Sequence, residues 1–321
     1  MIAPIDGIIP VMLTPFGDEG RIDWADLEAL IEWYIANGSS ALFAVCQSSE
    51  MANLSIEERV ALARFTAKAA GGRLPVVASG HVADDLEAQK AELAAMADTG
   101  IDGLVLVTNR LDPAQTGAET FRSNLEALFA ALPADLPLGL YECPAPHRRL
   151  LSDDEFRFCC DSGRFAVLKD VSCDIDVLKR RLALAKGSPL AVVNANAAIA
   201  WPALQAGAPG FCGIANNYHP DLYRWLADHG ARWPEFAGEL AAHLTLAALS
   251  EAYGYPAIAK LYHQRLGTMR SIRCRVIDYD VRQRFWALDA IVDAVIEGTE
   301  GFRARIRALE HDPEKWIPVF G

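Results

Sequence analysis

The chain has 321 residues, enough for one large α/β domain with an appendage, and 52% of them are hydrophobic, which excludes a disordered chain. Its formal net charge of −12 disfavours nucleic-acid binding, and it means that a site for a small anion needs local positive charge or peptide N–H donors. The seven cysteines include no Cys-x-x-Cys pair, and neither a secretory leader nor a membrane-spanning run is visible, so we expect a reduced, cytoplasmic protein that does not enter the membrane.

Short apolar segments alternate with longer amphipathic segments along the first two-thirds of the chain. The apolar segments are nearly continuous, which is typical of parallel strands buried on both faces. The predicted strands are Ile8–Met12, Ala41–Val45, Val76–Gly80, Gly103–Val107, Leu138–Tyr141, Ala166–Lys169, Leu190–Asn194 and Gly210–Gly213.

The amphipathic segments between these strands predict helices, one of which begins with the capping box Ser55-Ile-Glu-Glu58. The predicted helices are Asp23–Asn37, Ser55–Ala70, Asp84–Thr99, Ala118–Ala131, Asp153–Ser162 and Asp174–Ala185. Eight βα units with right-handed crossovers predict a (β/α)₈ TIM barrel. An open doubly wound sheet normally carries a Gly-rich turn after its first strand, and this sequence has none there.

The strand pattern ends near residue 225, and the remaining chain predicts helices over Trp233–Tyr253, Tyr255–Leu266 and Val281–Gly298. We therefore expect a barrel domain, residues 1–225, that carries the active site. A helical C-terminal segment, residues 226–321, is expected to pack on this barrel.

Two residues that end neighbouring strands are candidates for catalysis, because active sites of such barrels lie at the carboxyl ends of the strands. Lys169 ends one strand, where a low dielectric favours its neutral, nucleophilic amine. Tyr141 ends the strand before it and could exchange protons with a substrate held by that amine. The structural alternatives are a Lys169 paired with Asp170 or directed to solvent, and a Tyr141 that is only a strand-end aromatic.

The segment Cys46-Gln47-Ser48-Ser49-Glu50 follows the second predicted strand. Hydroxyl groups and peptide N–H groups at such a turn suit a carboxylate. The alternative is an ordinary serine-rich turn.

A set of short motifs gives the sequence a specific resemblance. They occur in one order between residue 5 and about residue 300: Thr14-Pro-Phe16, Ser48-Ser-Glu50, Leu54-Ser-x-x-Glu-Arg59, Gly103-Leu-Val-Leu-Val107, Tyr141-Glu-Cys-Pro144, Leu168-Lys-Asp170 and Gly207-x-x-Gly210-x-x-Gly213-x-x-Asn216. With these motifs the chain resembles the dihydrodipicolinate synthase / N-acetylneuraminate lyase family of class I pyruvate-dependent lyases.

This resemblance implies a lyase or aldolase that acts on pyruvate or a 2-oxo-3-deoxy sugar acid, with an aldehyde as second partner and no cofactor or metal. Lys169 matches the Schiff-base lysine and Tyr141 the proton-shuttling tyrosine. Ser48 and Ser49 match the residues that hold the carboxylate, and Ile214 borders the bound oxo acid. The resemblance also implies a homotetramer.

Several positions depart from the family pattern and favour a sibling activity over dihydrodipicolinate synthesis itself. Gln47 stands where the family carries a hydroxyl residue that relays a proton, and Arg110 stands near the place of a tyrosine that reaches a neighbouring subunit. His147, Arg148 and Arg110 could offer positive charge to a second carboxylate or to sugar-acid hydroxyls, unless they are only surface residues. Asn194 and Asn196 could bind polyol hydroxyls or their own loop backbone.

Three other functions remain open. A dehydratase would use a similar imine. A metal-dependent aldolase would need His81, His147 and His219, each of which follows a predicted strand, to meet at one mouth. A non-catalytic protein would bind a 2-oxo acid without turning it over.

Overall fold

The computed structural model describes residues 3–311 and contains an eight-stranded parallel sheet with strand order β1-β8-β7-β6-β5-β4-β3-β2. The strands are β1 Gly7–Ile8, β2 Leu42–Ala44, β3 Val76–Ala78, β4 Gly103–Val107, β5 Leu138–Tyr141, β6 Phe165–Asp170, β7 Ala191–Asn194 and β8 Gly210–Phe211. A parallel bridge between Val11 and Phe43 joins the two ends of the sheet. The fold is therefore the expected (β/α)₈ TIM barrel.

The first strand is shorter than predicted, because Pro10 has no N–H to contribute to the ladder. The extended backbone nevertheless continues past it. Phe43 N donates to the Pro10 carbonyl over 3.0 Å, and Met12 N donates to the Phe43 carbonyl over 3.0 Å. These bonds bring the loops that follow β1 and β2 side by side.

Eight helices follow the strands in turn. They are α1 Trp24–Ala36, α2 Ile56–Ala70, α3 Leu86–Ala97, α4 Ala118–Ala131, α5 Asp153–Asp161, α6 Ile175–Leu184, α7 Ala200–Gln205 and α8 Pro220–His229. The capping box at Ser55 forms as predicted, with Glu58 N donating to Ser55 Oγ over 3.2 Å. The sequence pattern predicts neither α7 nor α8. Helix α7 spans only 6 residues and contains a proline.

Up to residue 311, the C-terminal part adds four further helices: α9 Pro234–Ala248, α10 Ala257–Arg265, α11 Val281–Arg284 and α12 Leu288–His311. Ile258 of α10 and Leu288 of α12 belong to the same buried apolar cluster as Leu168 of β6, so these helices share the barrel's core. The domain division at residue 225 stays a prediction, and α8 spans that position. Within residues 3–311, no helix is long and apolar enough to cross a membrane.

Two glycines allow the backbone to close tightly around β8. A Cβ atom at Gly210 would lie 2.0 Å from the Gly7 carbonyl oxygen of β1. A Cβ atom at Gly213 would lie 2.7 Å from the Ala195 carbonyl oxygen. Side chains at these positions would therefore displace the start of the turn that follows β8.

Candidate active site

Lys169 and Tyr141 lie side by side at the carboxyl ends of β6 and β5. The two residues are register partners in the parallel ladder, where neighbouring strands are about 4.8 Å apart. The Lys169 Nζ atom lies 4.1 Å from the centroid of the Tyr141 ring, and the lysine is 7% exposed. A buried amine and a phenol thus share one small volume at the mouth of the barrel.

A buried ion cluster holds the two strand ends from the other face of the sheet. Because successive strand residues point to opposite faces, Glu142 and Asp170 point away from Tyr141 and Lys169. Arg181 of α6 donates to Glu142 Oε1 and to Asp170 Oδ2, each over 2.5 Å, and the three side chains are 0–2% exposed. Asp170 is therefore the partner of Arg181, not of Lys169. Burial raises the pKa of Glu142, against the opposing charge of Arg181.

Gln47 contacts the Tyr141 phenol. Its Oε1 accepts hydrogen bonds from Tyr141 Oη at 3.2 Å and from Cys143 Sγ at 3.4 Å. An amide oxygen only accepts, so Gln47 orients the phenol but passes no proton onward. Burial raises the pKa of Tyr141 well above its ordinary value, which keeps the phenol protonated in this structure.

The two serines of this loop are in different environments. Ser48 Oγ accepts a hydrogen bond from Tyr255 Oη at 2.7 Å. Ser49 is turned inward, since its Oγ donates to the Met12 carbonyl over 2.7 Å and its N–H donates to the Cys46 carbonyl over 3.1 Å. Within residues 3–311, the Ser48 N–H donates to no protein acceptor. A carboxylate at this loop would therefore meet the donors of Ser48 and not those of Ser49.

Glu50 anchors the loop to the C-terminal helices. It adopts a left-handed conformation, with φ of 60°, although it is not glycine. Its buried carboxylate accepts from Lys260 Nζ over 2.7 Å and from Val276 N over 2.8 Å. Sequence reasoning missed this contact, and the signal was Lys260 itself, a charge inside the apolar run of α10. The carboxylate–ammonium pair thus offsets the strain of the loop that carries Ser48.

Ile214 lies half-buried at the start of the 3₁₀ turn Ile214–Asn217, which follows β8. Two residues before it, Cys212 is 2% exposed. Burial raises the pKa of the Cys212 thiol to about 12, with the nearby Lys169 acting in the opposite direction. Cys212 therefore lies close enough to Lys169 to interact with it electrostatically.

The remaining predicted binding residues contact other parts of the protein. Arg110 forms an ion pair with Asp84. Arg148 donates to the carbonyls of Val171, over 2.8 Å, and Ser172, over 2.5 Å, in the loop after β6. It therefore lies beside the strand that carries Lys169, with its donors partly used.

Asn194 is fully buried at the end of β7, where both ends of its side chain bind Asn196. Its Nδ2 donates to the Asn196 carbonyl over 2.7 Å, and its Oδ1 accepts from Asn196 N over 3.0 Å. The side chain therefore satisfies its own loop, as the structural alternative predicted.

The histidines do not form a metal centre in the described part of the chain. His81 is fully buried, with Nε2 2.9 Å from Gln89 Oε1, and burial lowers its pKa to about 4. His219 is also fully buried and lies beside Thr299 of α12. Between residues 3 and 311, no group of three or more His, Cys, Asp or Glu side chains could hold a metal ion.

Comparison with known proteins identifies the family. A model of the dihydrodipicolinate synthetase family matches residues 4–268 of the chain. The chain belongs to this family. A 4-hydroxy-tetrahydrodipicolinate synthase of Sorangium cellulosum is 32% identical over 286 residues, which cover 83% of this chain and 88% of that relative. The chain is thus a lyase of the dihydrodipicolinate synthase family.

Solved structures of this family share the fold. Dihydrodipicolinate synthase from Bacillus anthracis superposes with a TM-score of 0.81 at 22% identity, covering 91% of this chain and 98% of that one. A prophage protein of the family from E. coli K12, solved in complex with pyruvate, gives a TM-score of 0.81 at 21% identity and covers 91% of this chain and 99% of its own.

Proposed function

We propose that the protein is a class I lyase in which Lys169 forms a Schiff base with pyruvate or with a 2-oxo-3-deoxy sugar acid. The observation that carries this proposal is the distance of 4.1 Å between Lys169 Nζ and the Tyr141 ring centroid, with Lys169 only 7% exposed. Imine formation requires an amine nucleophile and a nearby group that can transfer protons. The pyruvate complex of the E. coli relative supports the choice of 2-oxo acid.

The reaction follows from these groups. The Lys169 amine attacks the 2-oxo carbon, and the proton that its nitrogen releases passes to the carbinolamine oxygen. Tyr141 then donates a proton to that hydroxyl, and water leaves to give a protonated imine and a Tyr141 phenolate. In the cleavage direction, the imine accepts the electron pair of the C3–C4 bond while the C4 hydroxyl passes its proton to the Tyr141 phenolate and becomes an aldehyde. The resulting enamine takes a proton at C3, and hydrolysis releases pyruvate and the amine.

Ser48 and Ile214 bind the substrate in this proposal. The Ser48 hydroxyl and N–H donate to the carboxylate, and Ile214 borders the bound acid at the end of β8. The second partner is an aldehyde. Gln47, which accepts from the Tyr141 phenol without relaying a proton, supports a sibling activity in place of dihydrodipicolinate synthesis. We propose a homotetramer as the assembly, following the family resemblance.

Reductive trapping tests the Schiff base directly. The protein is incubated with pyruvate and borohydride, and the modified peptide is located by mass spectrometry. We expect one reduced pyruvyl adduct, on Lys169, which Lys169→Ala removes. The matched control Lys186→Ala replaces an exposed lysine and retains the adduct.

Two results would contradict the proposal. An adduct on another lysine, or turnover that survives in Lys169→Ala, would remove Lys169 from the mechanism. Activity that is lost in EDTA, without any borohydride adduct, would favour a metal-dependent aldolase instead.

A further inference from the structure

A chain of hydrogen bonds leads from helix α1 to Ser48. Tyr34 Oη donates to Asn217 Oδ1, Asn217 Nδ2 donates to Tyr255 Oη over 3.0 Å, and Tyr255 Oη donates to Ser48 Oγ over 2.7 Å. Tyr34 and Asn217 are fully buried, and Ser48 is 6% exposed. These four residues come from α1, the turn after β8, the segment before α10 and the loop after β2, so only the folded chain brings them together.

The proton positions in this chain follow from its fixed ends. Asn217 Nδ2 also donates to the Val11 carbonyl over 2.9 Å, so a flipped amide would set one oxygen against another. Tyr34 has a proton to donate and therefore requires an acceptor, which is Asn217 Oδ1. The Tyr255 oxygen accepts from the amide, so its single proton is directed at Ser48 Oγ.

The Ser48 hydroxyl accepts this hydrogen bond, so its own proton must point in another direction. Among residues 3–311, no protein acceptor receives a hydrogen bond from Ser48 Oγ. That proton is therefore available to a bound ligand, and the contact of the neighbouring Gln47 with Tyr141 places this loop at the candidate active site. A carboxylate can only accept hydrogen bonds, so a hydroxyl fixed as a donor binds it better than one that is free to turn its lone pairs toward it.

We infer that Tyr255 is a positioning residue that fixes Ser48 as a hydrogen-bond donor to the substrate carboxylate. This inference rests on the proposed function, in which Ser48 binds that carboxylate. Tyr255 acts through Ser48 and does not touch the reacting atoms. Burial raises the pKa of Tyr255 well above its ordinary value, so the phenol keeps the proton that this role requires.

The test compares Tyr255→Phe with the wild-type protein in borohydride trapping at a series of pyruvate concentrations. We expect the half-saturating pyruvate concentration to rise about fivefold to tenfold, because one hydrogen bond to a charged group weakens. The trapping rate at saturation should stay within about twofold, since Lys169 and Tyr141 are intact. Tyr253→Phe is the matched control, because it removes a partly exposed phenol two positions away and should change neither value.

A double-mutant cycle with Ser48→Ala separates positioning from a general structural effect. If Tyr255 acts through Ser48, its replacement should have little further effect once the Ser48 hydroxyl is gone. Pyruvamide, which lacks the carboxylate, provides a second readout, and Tyr255→Phe should leave its trapping nearly unchanged.

Three outcomes overturn the inference. The first is an unchanged half-saturating pyruvate concentration in Tyr255→Phe while the wild-type adduct forms on Lys169, which leaves the proposed function standing. The second is a rise in the half-saturating pyruvate concentration that Tyr255→Phe causes equally in the Ser48→Ala background and in the wild-type protein. The third is a wild-type protein that forms no pyruvate adduct, which removes the proposed function and this inference together.

Discussion

Arg181→Met tests the buried ion cluster behind the candidate active site. Arg181 binds Glu142 and Asp170, the residues that directly follow Tyr141 and Lys169, and the three side chains are 0–2% exposed. Methionine fills a similar volume but leaves two carboxylates buried without their counterion. Breaking a buried pair in this way costs about 3–5 kcal/mol of unfolding free energy.

This loss translates into a measurable shift in Tm. Unfolding entropy is about 2.1 cal/mol/K per residue, or about 0.7 kcal/mol/K for 321 residues. The variant should therefore melt about 4–8 °C below the wild-type protein in calorimetry. Arg180→Met is the matched control, because Arg180 and Asp153 form an exposed pair with side chains 51% and 38% accessible. Such a pair contributes about 1 kcal/mol or less, so this variant should melt close to the wild type.

The loss of unfolding free energy in Arg181→Met should depend on pH. Burial already raises the pKa of Glu142, and the lost guanidinium was opposing that shift. A carboxyl whose folded-state pKa is raised binds its proton more tightly when folded, so its penalty is greatest at high pH. The deficit should shrink as the pH falls from about 8 toward 4.5, the ordinary value for this group.

A neutralised cluster completes this test. Adding Glu142→Gln and Asp170→Asn to Arg181→Met removes both charges while keeping an acceptor oxygen at each position. This triple variant should reverse more than half of the decrease in Tm that Arg181→Met causes. A Tm for Arg181→Met within 1 °C or so of the wild type would refute the reasoning, as would a deficit that grows toward low pH.

Three further predictions concern single groups. Tyr141→Phe should lower turnover by about 10²–10⁴-fold and still permit borohydride trapping of pyruvate, and unchanged turnover would remove the phenol from proton transfer. Lys260→Met leaves the Glu50 carboxylate buried without its partner, so calorimetry should show a loss of about 3–5 kcal/mol, and a wild-type Tm would contradict this pairing. Iodoacetamide at about pH 8 should alkylate the exposed Cys173 first and leave Cys212 intact in the folded protein, because burial raises the pKa of Cys212 to about 12. Early alkylation of Cys212 would contradict this prediction.

Local patterns were enough to predict much of the fold. The limits of β4, β5 and α4 match the prediction, because continuous apolar strands and an amphipathic helix leave clear local signals. The register of Tyr141 with Lys169 also followed, since both residues end neighbouring strands. Helix α7 was missed because its six residues are too few to show a helical period.

The contacts that support the candidate site could not be predicted in the same way. Tyr255 and Ser48 are 207 residues apart in the chain, and Lys260 and Glu50 are 210 apart. Composition and periodicity indicate that a polar side chain is buried, but they do not identify its distant partner. The C-terminal segment was accordingly expected only to pack on the barrel, whereas its side chains hold the loop that carries Ser48.

The charges around the candidate site restrict how an anionic substrate could bind there. An acidic surface with a net charge of −12 opposes the approach of an anion, and a cationic pocket would be the direct remedy. Near the mouth, however, Arg110 binds Asp84, and Arg148 donates to backbone carbonyls. The Ser48 loop offers neutral donors instead, and a neutral hydroxyl attracts a carboxylate only when its proton points toward that carboxylate. Under the proposed function, fixing that proton from the distant Tyr255 gives the site a directional anion-binding group without a second cation beside the Lys169 amine, where like charge would disfavour its protonated imine.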